Sequence, residues 1–107
     1  MDIDHYLKIA GELNIKLKQV TDTIALLDEG ATVPFISRYR KEKTGNLDEV
    51  QIEEIKKRHQ YFIELEKRKE YILSSIKEQE KLTKELEESI TNSWDEKFIE
   101  DIYAPFK

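Results

Sequence analysis

The sequence of 107 residues contains no cysteine, only three glycines and only two prolines. Without cysteine it can form neither a disulfide framework nor a thiolate metal site. Because residues that break helices are so scarce and charged and aliphatic residues so common, the chain is predicted to be almost entirely helical. No apolar run approaches membrane-spanning length, and the first residues lack the pattern of a signal peptide. We therefore expect a single all-α domain in the cytoplasm.

Charge is abundant but unevenly distributed. Charged residues make up 38% of the chain and the net charge is −5, which argues against a surface that is basic throughout. The segment 33–45 differs from the rest, since it sets Arg38, Arg40, Lys41 and Lys43 against the single acid Glu42. This segment is therefore the one basic patch that the sequence predicts.

The first 46 residues predict a helix-turn-helix-like arrangement. Apolar residues recur at helical spacing up to Leu13 and again from Leu17 to Leu27. Asn14 tolerates a left-handed backbone and is expected to end the first helix, and Gly30 is expected to end the second.

The pair of helices has two interpretations. A DNA-reading motif would place the start of the second helix in a major groove, with Lys16, Lys18 and Gln19 as the reachable polar groups. An ordinary helix hairpin explains the same spacing. The acids Asp22 and Asp28 later in the helix would repel phosphates, so we expect the geometry of the motif without sequence-specific reading of DNA.

A third helix is predicted to begin at Pro34, with Phe35, Ile36 and Tyr39 facing inward. The functional interpretation of the cations that follow is contact with phosphates, with Tyr39 as a stacking surface. The alternative is that the cations pair with acidic helices or dock a neighbouring domain of the same polypeptide.

The longest predicted helix opens with a capping box at Asp48 and Gln51 and continues to about Glu80. At ~1.5 Å per residue it would be nearly 50 Å long, so we expect it to project from a compact domain. Short helices are expected to follow, capped by Thr83 and Ser93. The layout is thus one domain over 1–107: a helix-turn-helix-like part (1–46), a long helix (47–81) and short helices (82–107). The apolar stripe of the long helix comprises Ile52, Ile55, His59, Phe62, Leu65, Lys69, Ile72 and Ile76.

The stretch VPFISRYRKEKTGNLDEVQ, residues 33–51, resembles the segment that marks the N-terminal region of Tex-like transcription accessory proteins, which are bacterial nucleic-acid-binding factors. The resemblance continues through residues 26–32, 64–69 and 76–83. The end of the chain, residues 102–107, is similar to the end of this region in the family. We therefore expect the chain to be a piece of a longer protein.

The resemblance implies a helical region that contributes to RNA or DNA binding and to transcription regulation by a full-length factor. The implied partners are nucleic acid, the downstream ribonuclease-H-like, helix-hairpin-helix and OB-fold domains of the same chain, and the transcription machinery. The alternative is a structural scaffold or protein-interaction module that binds no nucleic acid of its own. Neither a membrane partner, a metal nor a cofactor is expected. The candidate nucleic-acid-binding residues are Arg38, Arg40, Lys41, Lys43, Lys16 and Lys18.

Catalysis is not expected. The sequence contains no Gly-rich phosphate loop, no nucleophile–base pair and no cluster of metal ligands.

Overall fold

The computed structural model describes residues 2–107, in which all regular structure is helical, so the all-α class is confirmed. The chain divides into two compact units, Met1–Phe62 and Ile63–Lys107, each described separately below. Within the described range no helix is both long and apolar enough to cross a membrane. The elements are α1 (Asp2–Leu13), α2 (Leu17–Asp28), α3 (Val33–Tyr39), α4 (Lys41–Thr44), α5 (Glu49–Glu78), α6 (Lys84–Thr91), α7 (Glu96–Tyr103) and a 3₁₀ turn (Ala104–Phe106).

The helices of the first unit end at the predicted residues. Asn14 adopts a left-handed backbone (φ 56°) directly after α1, and Gly30 (φ 97°) follows α2. Thr32 caps α3, since its side chain accepts a hydrogen bond from the Phe35 N–H, and Pro34 lies in the first turn. These local signals mark the ends of α1 and α2 and the start of α3. The third helix is shorter than expected, because the chain breaks at Arg40 and α4 begins at Lys41.

The core of the first unit forms where α1 and α3 pack against α2 and the first half of α5 completes the apolar interior. His5 of α1 is buried and stacks on Phe62 of α5, with ring centroids 5.5 Å apart. Arg58 of α5 makes a bidentate pair with Glu12 of α1, with both N–O distances at 3.0 Å. The buried apolar side chains are Ile9, Ala10, Val20, Ile24, Leu26, Val33, Ile36, Leu47, Ile52, Ile55 and Phe62.

The expected inward position of Phe35 and Tyr39 is wrong. Their side chains are 40% and 56% exposed, whereas Ile36 is fully buried. Helix α3 is only seven residues long, and Val33 and Ile36, three residues apart, fill its buried side. Phe35 and Tyr39, four residues apart, form a separate line that faces solvent.

Helix α5 confirms the long helix and its capping box. Asp48 N–H donates to Gln51 Oε1 at 2.9 Å, and Gln51 N–H donates to Asp48 Oδ1 at 2.8 Å. With 30 residues the helix is about 45 Å long. Every member of the predicted stripe is buried except His59, which is half-buried.

In the second unit a lysine occupies the stripe. Lys69 is only 4% exposed, and its ammonium donates to the carbonyl oxygen of Thr91, the last residue of α6, at 3.0 Å. The same ammonium lies 3.5 Å from Glu66 Oε1 and 5.5 Å from the centroid of the Trp94 ring. A cation at the C-terminus of a helix satisfies a carbonyl and complements the helix dipole. Lys69 is therefore a structural cap for α6.

The caps of the short helices are partly as predicted. The Thr83 side chain accepts from the Leu86 N–H and begins α6. The predicted cap at Ser93 is wrong, because α7 begins two residues later, with the Asp95 side chain accepting from the N–H groups of Lys97 and Phe98. Ser93 instead accepts from the Asp95 N–H at 3.1 Å.

Candidate nucleic-acid interface

The basic segment lies at the junction of α3 and α4, and Arg40 forms that junction. Its backbone leaves the helical region (φ −129°, ψ 34°), so α3 ends and α4 starts anew at Lys41. Its guanidinium donates to the Tyr39 carbonyl oxygen at 3.1 Å and lies 5.2 Å from the centroid of the Phe35 ring. Arg40 therefore stabilises the junction through local contacts as well as contributing a positive charge.

The other three cations of the segment have exposed side chains. The side chains of Arg38, Lys41 and Lys43 make no hydrogen bond or ion pair with another residue in the range 2–107. Within the described residues, these three side chains therefore do not pair with acidic helices as the alternative interpretation would require. Their charges face solvent, where an anionic partner can reach them.

A surface groove of about 260 Å³ brings cations from two distant segments together. Lys16 and Lys18, at the start of α2, lie along one part of it, and Lys43 of α4 lines another. Asp22 and Glu42 also line the groove, so it holds three cations and two carboxylates. Such a groove can hold phosphate groups through salt-dependent contacts with its lysines, but the two carboxylates repel phosphate and limit the affinity.

Gln19 joins the two parts of the groove. Its side-chain Nε2 donates to the carbonyl oxygens of Thr44 and Gly45, at 3.0 and 3.1 Å, and its Oε1 accepts from the Lys16 N–H at 3.0 Å. These bonds tie the N-terminus of α2 to the C-terminus of α4. Gln19 was expected among the groups free to contact DNA, but both ends of its amide are already engaged within the chain.

The pair Gly45–Asn46 shapes the loop after α4. Both residues have left-handed backbones, with φ values of 69° and 68°. Thr44 is fully buried, and its hydroxyl accepts from the Leu47 N–H at 3.3 Å. The loop therefore presents its carbonyl oxygens to Gln19 in a defined geometry.

Within the groove Lys18 is paired. Its Nζ lies 2.9 Å from Asp22 Oδ2, one turn further along α2. The lysine side chain is 84% exposed, so the pair is weakly held and its cation remains accessible to another anion.

The six predicted residues thus do not form one patch. Lys16, Lys18 and Lys43 share the groove, whereas Arg40 lines a second groove together with Leu26, Glu29 and Phe35. Arg38 and Lys41 are exposed and line neither of these two grooves. The role of Gln19 could not be found from the sequence, because no local signal connects a helix N-terminus to a turn 25 residues later.

Comparison with known proteins agrees with the resemblance seen in the sequence. Residues 3–77 match the sequence profile of the Tex-like protein N-terminal domain. The chain is 48% identical over 100 residues to the uncharacterized protein YdcI of Bacillus subtilis, and this alignment covers 94% of the chain and 14% of YdcI. It is 48% identical over 99 residues to protein YhgF of Escherichia coli, covering 92% and 13% respectively. It is 46% identical over 99 residues to the transcriptional accessory protein Tex of Neisseria gonorrhoeae, again covering 92% and 13%.

The chain belongs to the Tex-like protein N-terminal domain family. It spans only 13–14% of the length of these curated relatives.

Proposed function

We propose that this chain is a nucleic-acid-contacting region of a transcription accessory factor. The name of the Neisseria gonorrhoeae relative supports the link to transcription. The observation that carries the proposal is the groove in which Lys16, Lys18 and Lys43 converge from two segments. Arg38 of α3 and Lys41 of α4, whose exposed side chains are unpaired within the described residues, add two further cations. The role is one of binding and not of catalysis, and its setting is the cytoplasm.

The mode of contact follows from the charges. The chain as a whole is acidic, so a polyanion is expected to be attracted only where cations are locally concentrated, as at the groove and the α3–α4 junction. Lysine and arginine contacts to phosphate carry no sequence information, and the amide of Gln19 is already bonded. The proposed binding is therefore weak, sensitive to salt and independent of nucleotide sequence. Such binding suits a region that positions a nucleic acid for other parts of a larger protein.

The test is fluorescence anisotropy of a labelled single-stranded RNA and a labelled duplex DNA, titrated with the chain at several salt concentrations. The informative variant is Lys41→Ala/Lys43→Ala, because both side chains are exposed and make no bond within the described chain. Removing two phosphate contacts should reduce the slope of log K against log salt by about 1.4 for a single strand. Arg40→Ala is less suitable, since it also removes the contacts of Arg40 with Phe35 and Tyr39.

A matched control removes the same charge elsewhere. Lys56 and Lys57 are exposed on α5, and Lys56→Ala/Lys57→Ala lowers the net charge by the same amount. This control should retain most of the affinity. Equal losses in the two double variants would mean that only total charge matters, and the proposal would then fail.

A second candidate function is docking of another protein segment, as the scaffold alternative predicts. The supporting observation is a separate groove in which the apolar Val33, Pro34 and the 71%-exposed Val50 lie beside Glu49, Glu53 and Glu54. Val50→Ser should weaken binding to the remaining domains of a full-length relative, measured by calorimetry, while nucleic-acid affinity stays unchanged. No binding to those domains would remove this second candidate.

A further inference from the structure

Two aromatic side chains, Phe35 and Tyr39, belong to the basic segment without being part of the core. Phe35 and Tyr39 are one turn apart on α3, with ring centroids 5.3 Å apart and ring planes inclined by 51°. The packing of α3 does not require them to be aromatic, because Val33 and Ile36 fill its buried side. The core therefore leaves the exposed part of the pair available to a partner.

The charges next to the pair are cationic. The Arg40 guanidinium lies over the Phe35 ring at 5.2 Å, and the unpaired Arg38 precedes Tyr39 directly in the sequence. The one acid that lines the adjacent groove with Phe35 is Glu29, beyond the end of α2. Aromatic rings interleaved with cations are the surface on which a nucleic-acid strand stacks its bases while its phosphates are neutralised.

We infer that the Phe35–Tyr39 pair is a stacking platform for an unpaired base of single-stranded nucleic acid, with Arg38 contacting a neighbouring phosphate. The inference rests on the function proposed above and narrows its ligand to single strands. In a duplex the faces of the bases are covered by their neighbours, so an exposed ring on a short helix has no base face to meet. A single strand can turn one base out onto the ring.

Tyr39 is the ring that receives the base. It is the more exposed of the two, at 56% against 40% for Phe35. One face of Phe35 is already occupied by Arg40, whose guanidinium also donates to the Tyr39 carbonyl oxygen. Phe35 and Arg40 therefore hold α3 and its end in position, and Tyr39 offers the free surface.

The experiment compares two labelled oligomers of about ten nucleotides, one of oligouridylate and one with the same backbone but no bases. Anisotropy titrations at low salt should show that the chain binds the oligouridylate about fivefold or more tightly than the abasic oligomer. Tyr39→Leu should abolish this preference and leave the affinity for the abasic oligomer unchanged, because the phosphate contacts remain. Tyr39→Phe keeps a ring and should keep the preference.

Tyr71→Leu is the matched control, since Tyr71 is 59% exposed and lies outside the basic segment. It should behave as the unmodified chain. Equal affinity of the unmodified chain for the two oligomers would overturn the platform while leaving the proposed phosphate contact intact, and would point to the aromatic pair as a surface for a protein instead. Absence of binding to either oligomer would overturn the inference, and absence of binding to the duplex DNA as well would refute the proposed function.

Discussion

The side-chain amide of Gln19 lies so close to Gly45 that a Cβ atom at Gly45 would be 2.8 Å from Nε2 of Gln19. Gly45 also has a left-handed backbone, with φ of 69°. The residue is therefore constrained twice, by its own backbone and by the helix that approaches it. Gln19 and Gly45 both line the groove that holds Lys16, Lys18 and Lys43.

Substitution of alanine for each of the three glycines should change the free energy of unfolding by a different amount. Gly45→Ala should lower the free energy of unfolding by about 2 kcal/mol, because it strains the backbone and displaces the Gln19 amide from its two carbonyl partners. Gly30→Ala should cost about 1 kcal/mol, since φ is +97° but nothing lies within 4 Å of the added carbon. Gly11→Ala, within α1 and in open space, should raise stability by about 0.5–1 kcal/mol.

Urea denaturation followed by circular dichroism measures the series. A cost at Gly45 no larger than that at Gly30 would show that the approach of Gln19 contributes nothing.

Substitution of valine for each of two buried threonines should change the stability of the fold in opposite directions. Thr23 is fully buried, and its hydroxyl has no hydrogen-bond partner among the described residues. Thr23→Val should therefore raise the free energy of unfolding by about 1 kcal/mol. Thr44→Val should lower it by about 1–2 kcal/mol, because the buried Leu47 N–H loses its acceptor. Thermal unfolding of the two variants checks the pair, and a destabilised Thr23→Val protein would contradict the assignment.

The buried cation of the second unit predicts a large effect at one position of α5. Lys69→Met has a similar length but leaves the Thr91 carbonyl oxygen without its donor, so we expect a loss of about 1–3 kcal/mol. The emission of Trp94, the only tryptophan, should shift as well, since the ammonium lies 5.5 Å from its ring. Lys67→Met, at an exposed position two residues earlier, is the control and should change stability by less than about 0.5 kcal/mol. Equal effects of the two substitutions would contradict the capping role.

A bidentate ion pair in the second unit predicts a dependence on pH. Arg68 donates to Glu100 at 2.6 and 3.0 Å, and these hydrogen bonds, together with the charges of Arg68 and Lys107, lower the pKa of Glu100 against the opposing effect of desolvation. Because the pKa is lower in the folded state, the stabilisation is present above the pKa of the unfolded chain, about 4.3, and is lost as the pH falls through the folded-state value.

The variant Glu100→Gln isolates this effect. At pH 7 it should cost about 1 kcal/mol or less, since both side chains are partly exposed. The difference from the unmodified chain should shrink below pH 4, as measured by urea denaturation between pH 3 and pH 7. A difference that stays constant over this range would exclude the ionised pair as its cause.

Neutralising an acid of the groove should increase the affinity for nucleic acid. Asp22→Asn removes a carboxylate from the groove and frees Lys18 from its partner, so affinity for single-stranded RNA should rise about two- to fivefold at low salt. Asp28→Asn, at the end of the same helix, makes the same change in charge outside the groove and should have little effect. Anisotropy at two salt concentrations provides the measurement. Identical gains in the two variants would argue against the groove as the contact surface.

Local sequence signals specify the ends of α1 and α2 and the starts of α3, α5 and α6. Asn14, Gly30 and the pair Gly45–Asn46 mark turns, because their left-handed backbones suit few other residues. The capping box of Asp48 and Gln51 marks the start of α5. These signals are local: each residue acts on atoms within one helical turn, so each can be recognised without knowing what packs nearby. The family resemblance, likewise, is carried by residues contiguous in the chain.

Which polar groups are free and which are occupied depends on how the helices pack. Gln19 is bonded to a turn 25 residues away, and Lys69 caps a helix that begins 15 residues later. The N-cap of α7 is Asp95 instead of Ser93, and Trp94 lies beside the Lys69 ammonium. Tyr39 faces solvent because the neighbouring Ile36 already fills the buried side of a helix of two turns. Each outcome depends on contacts between segments distant in the chain, where burial and hydrogen bonding select among side chains whose local propensities are alike.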